Sequence, residues 1–221
     1  MSMALLFIAI LMLCAGFDAC ADPSKFVYLF KIGGKRMGSA DGEFSRPHGA
    51  DIDSDGNLYV ADSDNERIEK FTKGGKYLSK MAVPGGGFLR GLAVDKNGNV
   101  YVGSDTNPTI WKFDKTGSLV QSAKIGSLAI RASNNFLIVG GGGYIDKHSF
   151  DLKRIGQAAS TSYTTYGVAV SDKTGNVWGC GLAAKATLAQ YSPGGGLIRT
   201  FDSSKFNDGP AAQTSRPCWI P

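Results

Sequence analysis

Short apolar runs separated by polar turns recur along most of this sequence. The first two runs extend from Gly49 to Ile52 and from Leu58 to Ala61, and the segment between them is Asp53-Ser54-Asp55-Gly56-Asn57. An aspartate at the start of such a turn can bond the backbone two residues later, and glycine readily adopts positive φ. The pattern therefore predicts a β-hairpin.

The same pattern occurs four times. With the asparagine after the turn as the register, Asn57 recurs as Asn99 (99 − 57 = 42), Asn135 (135 − 99 = 36) and Asn176 (176 − 135 = 41). A period near 40 residues indicates repeated units that bury their apolar faces against one another. The remaining first strands are predicted from Gly91 to Val94, Leu128 to Ile130 and Gly167 to Val170, and the second strands from Val100 to Gly103, Phe136 to Val139 and Val177 to Cys180.

Within each repeat unit, the strands become more polar after the second strand. The second strands are continuously apolar, which predicts burial on both faces. A third strand, such as Arg67-Ile68-Glu69-Lys70-Phe71, restores alternation, and a fourth follows from Lys76 to Met81. Radial repetition of such four-stranded antiparallel blades is a β-propeller, so the predicted fold is all-β with about four complete blades.

The segment from Gly42 to Ile68, Gly-Glu-Phe-Ser-Arg-Pro-His-Gly-Ala-Asp-Ile-Asp-Ser-Asp-Gly-Asn-Leu-Tyr-Val-Ala-Asp-Ser-Asp-Asn-Glu-Arg-Ile, closely resembles the NHL repeat. The second unit keeps most of the motif. The third lacks the Asp-Gly turn, and the fourth has Gly179-Cys180-Gly181 where Ala-Asp-Ser is typical. The resemblance implies a propeller that usually has six blades.

The two ends of the sequence predict an open ring. The run from Phe26 to Gly33 is typical of an outer fourth strand that completes the last blade, and Ser215 to Ile220 repeats the register of Ser45 to Ala50, where a fifth blade would begin. Closing six blades needs roughly 70 further residues at about 40 per blade. Exposed sheet edges would then favour self-association. A compact ring of five units is the alternative.

The N-terminus predicts export. Residues from Met3 to Phe17 are almost wholly apolar, and Ala19-Cys20-Ala21 is a small-x-small cleavage site, which together indicate a signal peptide over residues 1–21 and a propeller over 22–221. The apolar run is shorter than the ~20 residues that span a bilayer, so no stable membrane span is expected. A membrane anchor, or lipid attachment at Cys14 or Cys20, is the alternative. The predicted location is secreted or extracytoplasmic.

The formal charge is +5, and removal of a leader that contains one acid and no base leaves 24 − 18 = +6. Lys70, Lys112 and Lys147 occupy one place in successive third strands. We interpret them as a solvated outer rim rather than a polyanion patch, and no nucleic acid partner is expected.

Two cysteines remain after leader removal, Cys180 and Cys218. An oxidising compartment would allow them to pair, which would stabilise the fold by ~4 kcal/mol in the chain-entropy model. Two buried thiols are the alternative.

The candidate site is a ring of strand entrances. The aligned residues are His48, Arg90, Gly126, Tyr166 and Cys218, which in a propeller project around one mouth of the central channel. Varied polar residues on a rigid scaffold favour ligand binding there. The alternative is that they are solvent-facing entrance residues only.

The family resemblance also implies two metal chemistries to weigh. NHL lyases that complete peptide amidation hold zinc with three histidines, and His48 resembles one of these ligands, but the other entrances lack histidine. Six-bladed lactonases hold calcium with channel carboxylates. Asp51 has the right orientation, but its aligned counterparts are Ala93, Ala129 and Ala169. No cofactor is therefore expected, with zinc or calcium as the alternative.

Together these features predict an exported NHL-repeat propeller that serves as a rigid binding or scaffold module for a protein, peptide or glycan. A metal-dependent lyase or hydrolase that uses His48 is the alternative function.

Overall fold

A computed structural model of the protein describes residues 29–34, 36–182 and 186–202. Over these residues the fold is all-β, with fifteen strands and one 3-10 turn at Ser63–Asn65. The predicted signal peptide, the predicted start of a fifth blade and Cys218 lie outside the described residues.

The first two blades are separate four-stranded antiparallel sheets, each in sequential strand order. Blade 1 consists of β1 (Pro47–Ile52), β2 (Leu58–Asp62), β3 (Arg67–Phe71) and β4 (Tyr77–Ala82), and blade 2 of β5 (Leu89–Val94), β6 (Val100–Ser104), β7 (Ile110–Phe113) and β8 (Leu119–Ala123). These bounds confirm the predicted strands to within two residues.

Blades 3 and 4 form one seven-stranded sheet. They are joined by a 17-residue strand, β12, whose N-terminal part completes blade 3 and whose C-terminal part opens blade 4. The strands are β9 (Ala129–Ala132), β10 (Leu137–Gly140), β11 (Gly142–His148), β12 (Arg154–Val170), β13 (Val177–Leu182), β14 (Ala186–Tyr191) and β15 (Leu197–Asp202). The structure thus confirms four blades and adds a continuous connection between the last two.

The core lies between the blades. All residues of β2 and β6 are buried, as their continuous apolar character predicts. One cluster joins blades 1 and 2 through Tyr59, Ile68, Leu92 and Val102 among others. The innermost strands approach closely, because a Cβ atom on Gly91 would lie 2.7 Å from the amide nitrogen of Ile130. Glycine is therefore required where β5 meets β9.

The third blade differs from its predicted register. Ile130 pairs with Val139, and the turn between β9 and β10 has four residues where the turn of blade 1 has five. The first strand of blade 3 lies two residues later than expected, one because of this shorter turn and one because Phe136, not Asn135, stands at the place of Asn57. This shift makes Leu128 the counterpart of Arg90, in place of Gly126, and Arg131 the counterpart of Asp51, in place of Ala129.

Every outer strand begins with a β-bulge. In each blade the hairpin partner skips one residue near the start of the fourth strand. The skipped residue is aliphatic and exposed in all four blades: Leu78 at 46%, Val120 at 56%, Ile155 at 58% and Ile198 at 50%. A bulge leaves one residue outside the ladder, which explains why these apolar side chains do not reach the core.

The N-terminal segment covers one face of blade 1. Residues 29–34 form no strand, so the predicted outer strand from Phe26 to Gly33 is wrong over this stretch. Instead Ile32 and Phe44 pack against Leu58, Val60 and Phe71. The apolar face of blade 1 is therefore buried within the chain.

A buried charge cluster anchors the same segment. Arg67 contacts Asp62 at 2.9 Å and Glu69 at 3.1 Å. The Arg67 guanidinium also donates to the carbonyls of Ser39, Ala40 and Glu43. Burial raises the pKa of Glu69. Arg67 therefore binds the carboxylates of Asp62 and Glu69 and also the loop at residues 39–43.

The three third-strand lysines lie over aromatic rings and are not fully solvated. The ammonium of Lys70 is 4.9 Å from the Tyr59 ring centroid, and that of Lys112 is 5.9 Å from the Tyr101 ring centroid. Lys147 has the same relation to Phe136. Their stems cover the second strands, so the predicted solvated rim is wrong for Lys70 and Lys112, whose side chains are only 20% and 12% exposed.

No helix within the described ranges is long and apolar enough to cross a membrane.

Candidate functional site

Three of the predicted ring residues lie at the entrances of innermost strands. His48 is on β1, Arg90 on β5 and Tyr166 on β12. Each lies within an interval where the strand pairing shifts, between Pro47 and Ala50, Leu89 and Leu92, and Thr165 and Gly167. Such β-bulges redirect side chains out of the regular alternation. The sequence contains no clear signal for these bulges.

A phenylalanine that the sequence analysis did not select lies at the centre of the group. The Phe88 ring is 4.7 Å from the His48 ring, centroid to centroid, at an interplanar angle of 65°. The guanidinium carbon of Arg90 lies 5.0 Å from the Phe88 centroid. An aromatic residue two positions before a ring arginine was the only sequence signal for it. We refer to His48, Phe88, Arg90 and Tyr166 as the channel-mouth cluster.

Arg90 lies between two aromatic rings. Its guanidinium carbon is 5.7 Å from the Tyr166 centroid, while its Nε donates to Asp105 at 2.9 Å. The Tyr166 side chain is 48% exposed. The cluster therefore joins blades 1, 2 and 4 through one cation and its aromatic neighbours.

The surroundings of His48 favour the neutral form of its imidazole at pH 7. Desolvation by neighbouring groups and the positive charges of Arg90 and Arg46 lower the pKa of His48 below its usual range, although the residue keeps an exposed surface. A neutral imidazole has one donor and one acceptor nitrogen, so it can either donate a hydrogen bond to a polar ligand or accept one from it.

A second arginine beside Phe88 is already paired. Arg46 lies 4.9 Å from the Phe88 centroid, and both its Nε and one terminal amino group donate to the carboxylate of Asp64. Ser45 Oγ donates to the same carboxylate at 3.0 Å. Asp64 therefore occupies the edge of the Arg46 guanidinium that is formed by Nε and one terminal amino group.

The third blade contributes differently. Gly126 lies outside the ring register, and its carbonyl accepts a hydrogen bond from the Tyr144 hydroxyl at 2.6 Å. Leu128 stands at the entrance position and is half-buried. The predicted place of Gly126 in the ring is therefore wrong, since blade 3 offers an apolar side chain there.

Deeper in the channel, Asp51 is fully engaged. One carboxylate oxygen accepts from Arg131 at 2.9 Å, and the other accepts from the backbone amide of Val94 at 2.9 Å. The pair links blades 1 and 3 and neutralises the only acid among the aligned channel positions of the four described blades. These residues do not fit a calcium ion, which needs several oxygen ligands with free lone pairs.

The described residues also do not fit a zinc site of the kind weighed above. They contain no group of three or more His, Cys, Asp or Glu side chains arranged to hold a metal. His148, the second histidine, lies buried on β11, and His48 faces Phe88 and two arginines. No reaction step is therefore derived through a metal.

The cysteine prediction stays open. Cys180 is buried on β13, and Cys218 lies outside the described residues. The predicted ring position of Cys218 and its pairing with Cys180 both remain predictions.

A cleft lies between the outer strands of blades 3 and 4. It has a volume of about 490 Å³, and its lining includes Tyr163 and Tyr191. The Tyr163 hydroxyl donates to the Gly179 carbonyl at 3.1 Å. The Tyr163 hydroxyl therefore connects blade 3 to blade 4 through this hydrogen bond.

Two repeat families match the sequence. Residues 44–71 match the NHL repeat, and residues 88–109 match the beta-propeller repeat family. No curated protein matches the chain. With the four blades described above, these matches show that the chain is a β-propeller protein with an NHL repeat in its first blade.

Solved structures support the same fold. Hydrazine synthase from Kuenenia stuttgartiensis has a TM-score of 0.64 at 15% identity, over 78% of this chain and 52% of that chain. Virginiamycin B lyase from Staphylococcus aureus has a TM-score of 0.61 at 15% identity, over 71% of this chain and 55% of that chain. A Bacteroides caccae protein of unknown function has a TM-score of 0.56 at 16% identity, over 72% of this chain and 68% of that chain.

The chain thus spans about half the length of the first two of these structures. At this level of identity the likeness concerns the fold alone.

Proposed function

We propose that this propeller is an exported binding or scaffold module that takes a protein, peptide or glycan ligand at the channel mouth. The observation that carries the proposal is the convergence of three bulged strand entrances, with His48 and Arg90 against Phe88 and Tyr166 against Arg90. A cation, a neutral imidazole and a half-exposed tyrosine share one surface there, on a scaffold of packed blades. Rigid scaffolds with varied polar and aromatic residues at one mouth are suited to binding.

A metal-dependent lyase or hydrolase is the competing function, because the neutral His48 at the mouth has the protonation state that a metal ligand requires. The described residues supply no second and third ligand beside it. Binding therefore accounts for more of the cluster than catalysis does.

Metal analysis of the purified full chain separates the two functions. We expect no stoichiometric zinc or calcium in the wild type, and the same result for His48→Ala. Stoichiometric metal that disappears in His48→Ala, while a matched Phe88→Leu variant keeps it, would replace the binding proposal with the enzyme.

Export has its own test. Secretion with cleavage before Asp22, read as the N-terminal mass of the mature protein, is the expected outcome. Retention of residues 1–21 on a membrane-bound product would favour the anchor instead.

A further inference from the structure

Arg90 has unused hydrogen-bonding capacity at the channel mouth. A guanidinium carries five N–H donors, and the described residues accept only from its Nε, through Asp105. Arg46 differs, because Asp64 occupies both its Nε and a terminal amino group. Of the two arginines beside Phe88, only Arg90 keeps all four of its terminal N–H donors unused by the described residues.

Three neighbouring side chains orient the terminal edge of Arg90. Phe88 and Tyr166 flank the guanidinium with centroids at 5.0 Å and 5.7 Å, and Asp105 binds its Nε at 2.9 Å. A planar fork that is ordered before binding loses little freedom when a carboxylate pairs with it in a bidentate manner. The edge is therefore suited to a carboxylate.

A carboxylate alone leaves the neighbouring aromatic surface unused. Tyr166 is 48% exposed although it touches Arg90, so part of its ring faces solvent beside the cation. A ligand that satisfies both groups needs an anionic carboxylate attached to a flat apolar surface. A hexuronic acid has both, because its pyranose ring presents C–H groups next to the carboxylate.

We propose that the channel-mouth cluster recognises a hexuronic acid residue of an acidic glycan. Its carboxylate pairs with the terminal amino groups of Arg90, and its sugar ring packs on Tyr166. The inference rests on the proposed binding function and specifies its ligand. A peptide chain end is less well matched, because captured chain-end carboxylates usually bind in backbone nests.

The test is calorimetric titration of the full chain with trigalacturonate and with a glucuronate trimer, alongside their methyl esters. We expect at least one acid to bind and its neutral ester to bind at least about tenfold more weakly, since hydrogen bonds to charged groups contribute this much. The affinity should fall with added salt, because the cluster is partly exposed.

Variants locate the site. Arg90→Lys keeps the charge but loses the planar fork, and we expect it to weaken binding of the acid about tenfold or more. Tyr166→Ala should weaken the acid and its ester alike, because it removes the packing surface. Arg46→Lys is the matched control on the same ring, with an expected change below about twofold. Thermal melts of each variant verify that it is folded.

The failures are distinguishable. If neither uronate binds but an acidic peptide binds and loses affinity in Arg90→Lys, the glycan assignment is wrong and the binding site stands. If a uronate binds and neither Arg90→Lys nor Tyr166→Ala changes its affinity, the site is elsewhere and both proposals are wrong. If neither uronates nor peptides bind, both proposals are likewise overturned.

Discussion

Blades 1 and 2 are separate sheets with nearly identical registers, whereas blades 3 and 4 share one strand and depart from the repeat. The first two blades carry the turn aspartates Asp53 and Asp95, and each aspartate accepts a bond from a second-strand tyrosine, Tyr59 or Tyr101. Blade 3 has Ser133 at this place, whose hydroxyl bonds only within its turn. A side-chain hydrogen bond between the turn and the second strand fixes the register of the two strands. Blade 3 lacks this hydrogen bond.

Blades 1 and 3 also differ in the arginine that pairs with a buried carboxylate. In blade 1, Glu69 is fully buried and paired with a buried arginine. At the equivalent place in blade 3, Asp146 pairs with Arg154, whose side chain is 55% exposed. Blade 1 therefore pairs its buried carboxylates with a buried arginine, while blade 3 pairs a buried aspartate with an exposed arginine.

The largest expected effect is on these ion pairs. Arg67→Ala removes the counter-ion of two buried carboxylates, and we expect a loss of about 3–5 kcal/mol in the free energy of unfolding. Arg154→Ala removes an exposed arginine from one buried carboxylate in blade 3 and should cost less, about 1–2 kcal/mol. Urea denaturation of both variants checks the difference. Equal losses of unfolding free energy in the two variants would contradict this difference between the two ion pairs.

The turn aspartates come next. Asp95 accepts from the amides of Asn97 and Asn99, the Asn99 side chain and the Tyr101 hydroxyl, and Tyr101 is fully buried. Asp95→Ala should therefore cost about 2–3 kcal/mol through unsatisfied buried groups. Ser133→Ala should cost about 1 kcal/mol or less. Chemical denaturation measures both, and a larger loss in the serine variant would contradict the comparison.

A pH-dependent difference should appear in blade 3. His148 occupies the place of Phe71, Phe113 and Tyr191 in the other blades. Its ring is buried, and neither nitrogen has a hydrogen-bond partner among the described residues. Burial lowers the pKa of His148, so the folded state resists protonation. The unfolded chain takes up a proton below about pH 6.5, and stability should fall as the pH drops through that value.

His148→Phe should reduce this pH dependence, and the remainder is expected from His48, whose pKa is also lowered. Each unit by which folding lowers the pKa corresponds to about 1.4 kcal/mol at low pH. The converse variant Phe113→His should introduce the same loss in blade 2. Unfolding free energies at pH 7.5 and pH 5 test both, and an unchanged pH slope in His148→Phe would show that other groups cause it.

The smallest effect is expected at the outer bulges. Leu78→Ser and Ile155→Ser change exposed side chains, so unfolding free energies should move by less than about 0.5 kcal/mol. Met81 lies on the same strand as Leu78 but is 4% exposed, and Met81→Ser should cost more than about 2 kcal/mol. A large loss at Leu78 would place the bulge residue in the core.

The apolar runs and turn signals predicted most of the architecture. The second strands of blades 1 to 3 are buried runs, and the first turn of blades 1 and 2 starts with an aspartate and has a glycine three residues later, so local chemistry specifies these hairpins. These features depend on neighbours in the sequence, which is why periodicity was sufficient.

The candidate site was predicted in part. His48, Arg90 and Tyr166 were found by aligning strand entrances, but Phe88 was missed because its role depends on bulges that redirect three side chains. The register of blade 3 was wrong by two residues. One residue comes from aligning Asn135 with Asn57, and the other from the shorter turn of blade 3.

That error hid the channel pair, since it aligned Ala129 with Asp51 instead of Arg131. The repeating apolar pattern by itself determined that this chain forms four antiparallel blades, because each blade is built from adjacent residues. Only the tertiary structure decided that Asp51 meets Arg131 and that Arg90 lies between two aromatic rings. Those contacts join different blades, and their geometry depends on turn lengths and bulges that shift whole strands without changing the apolar pattern.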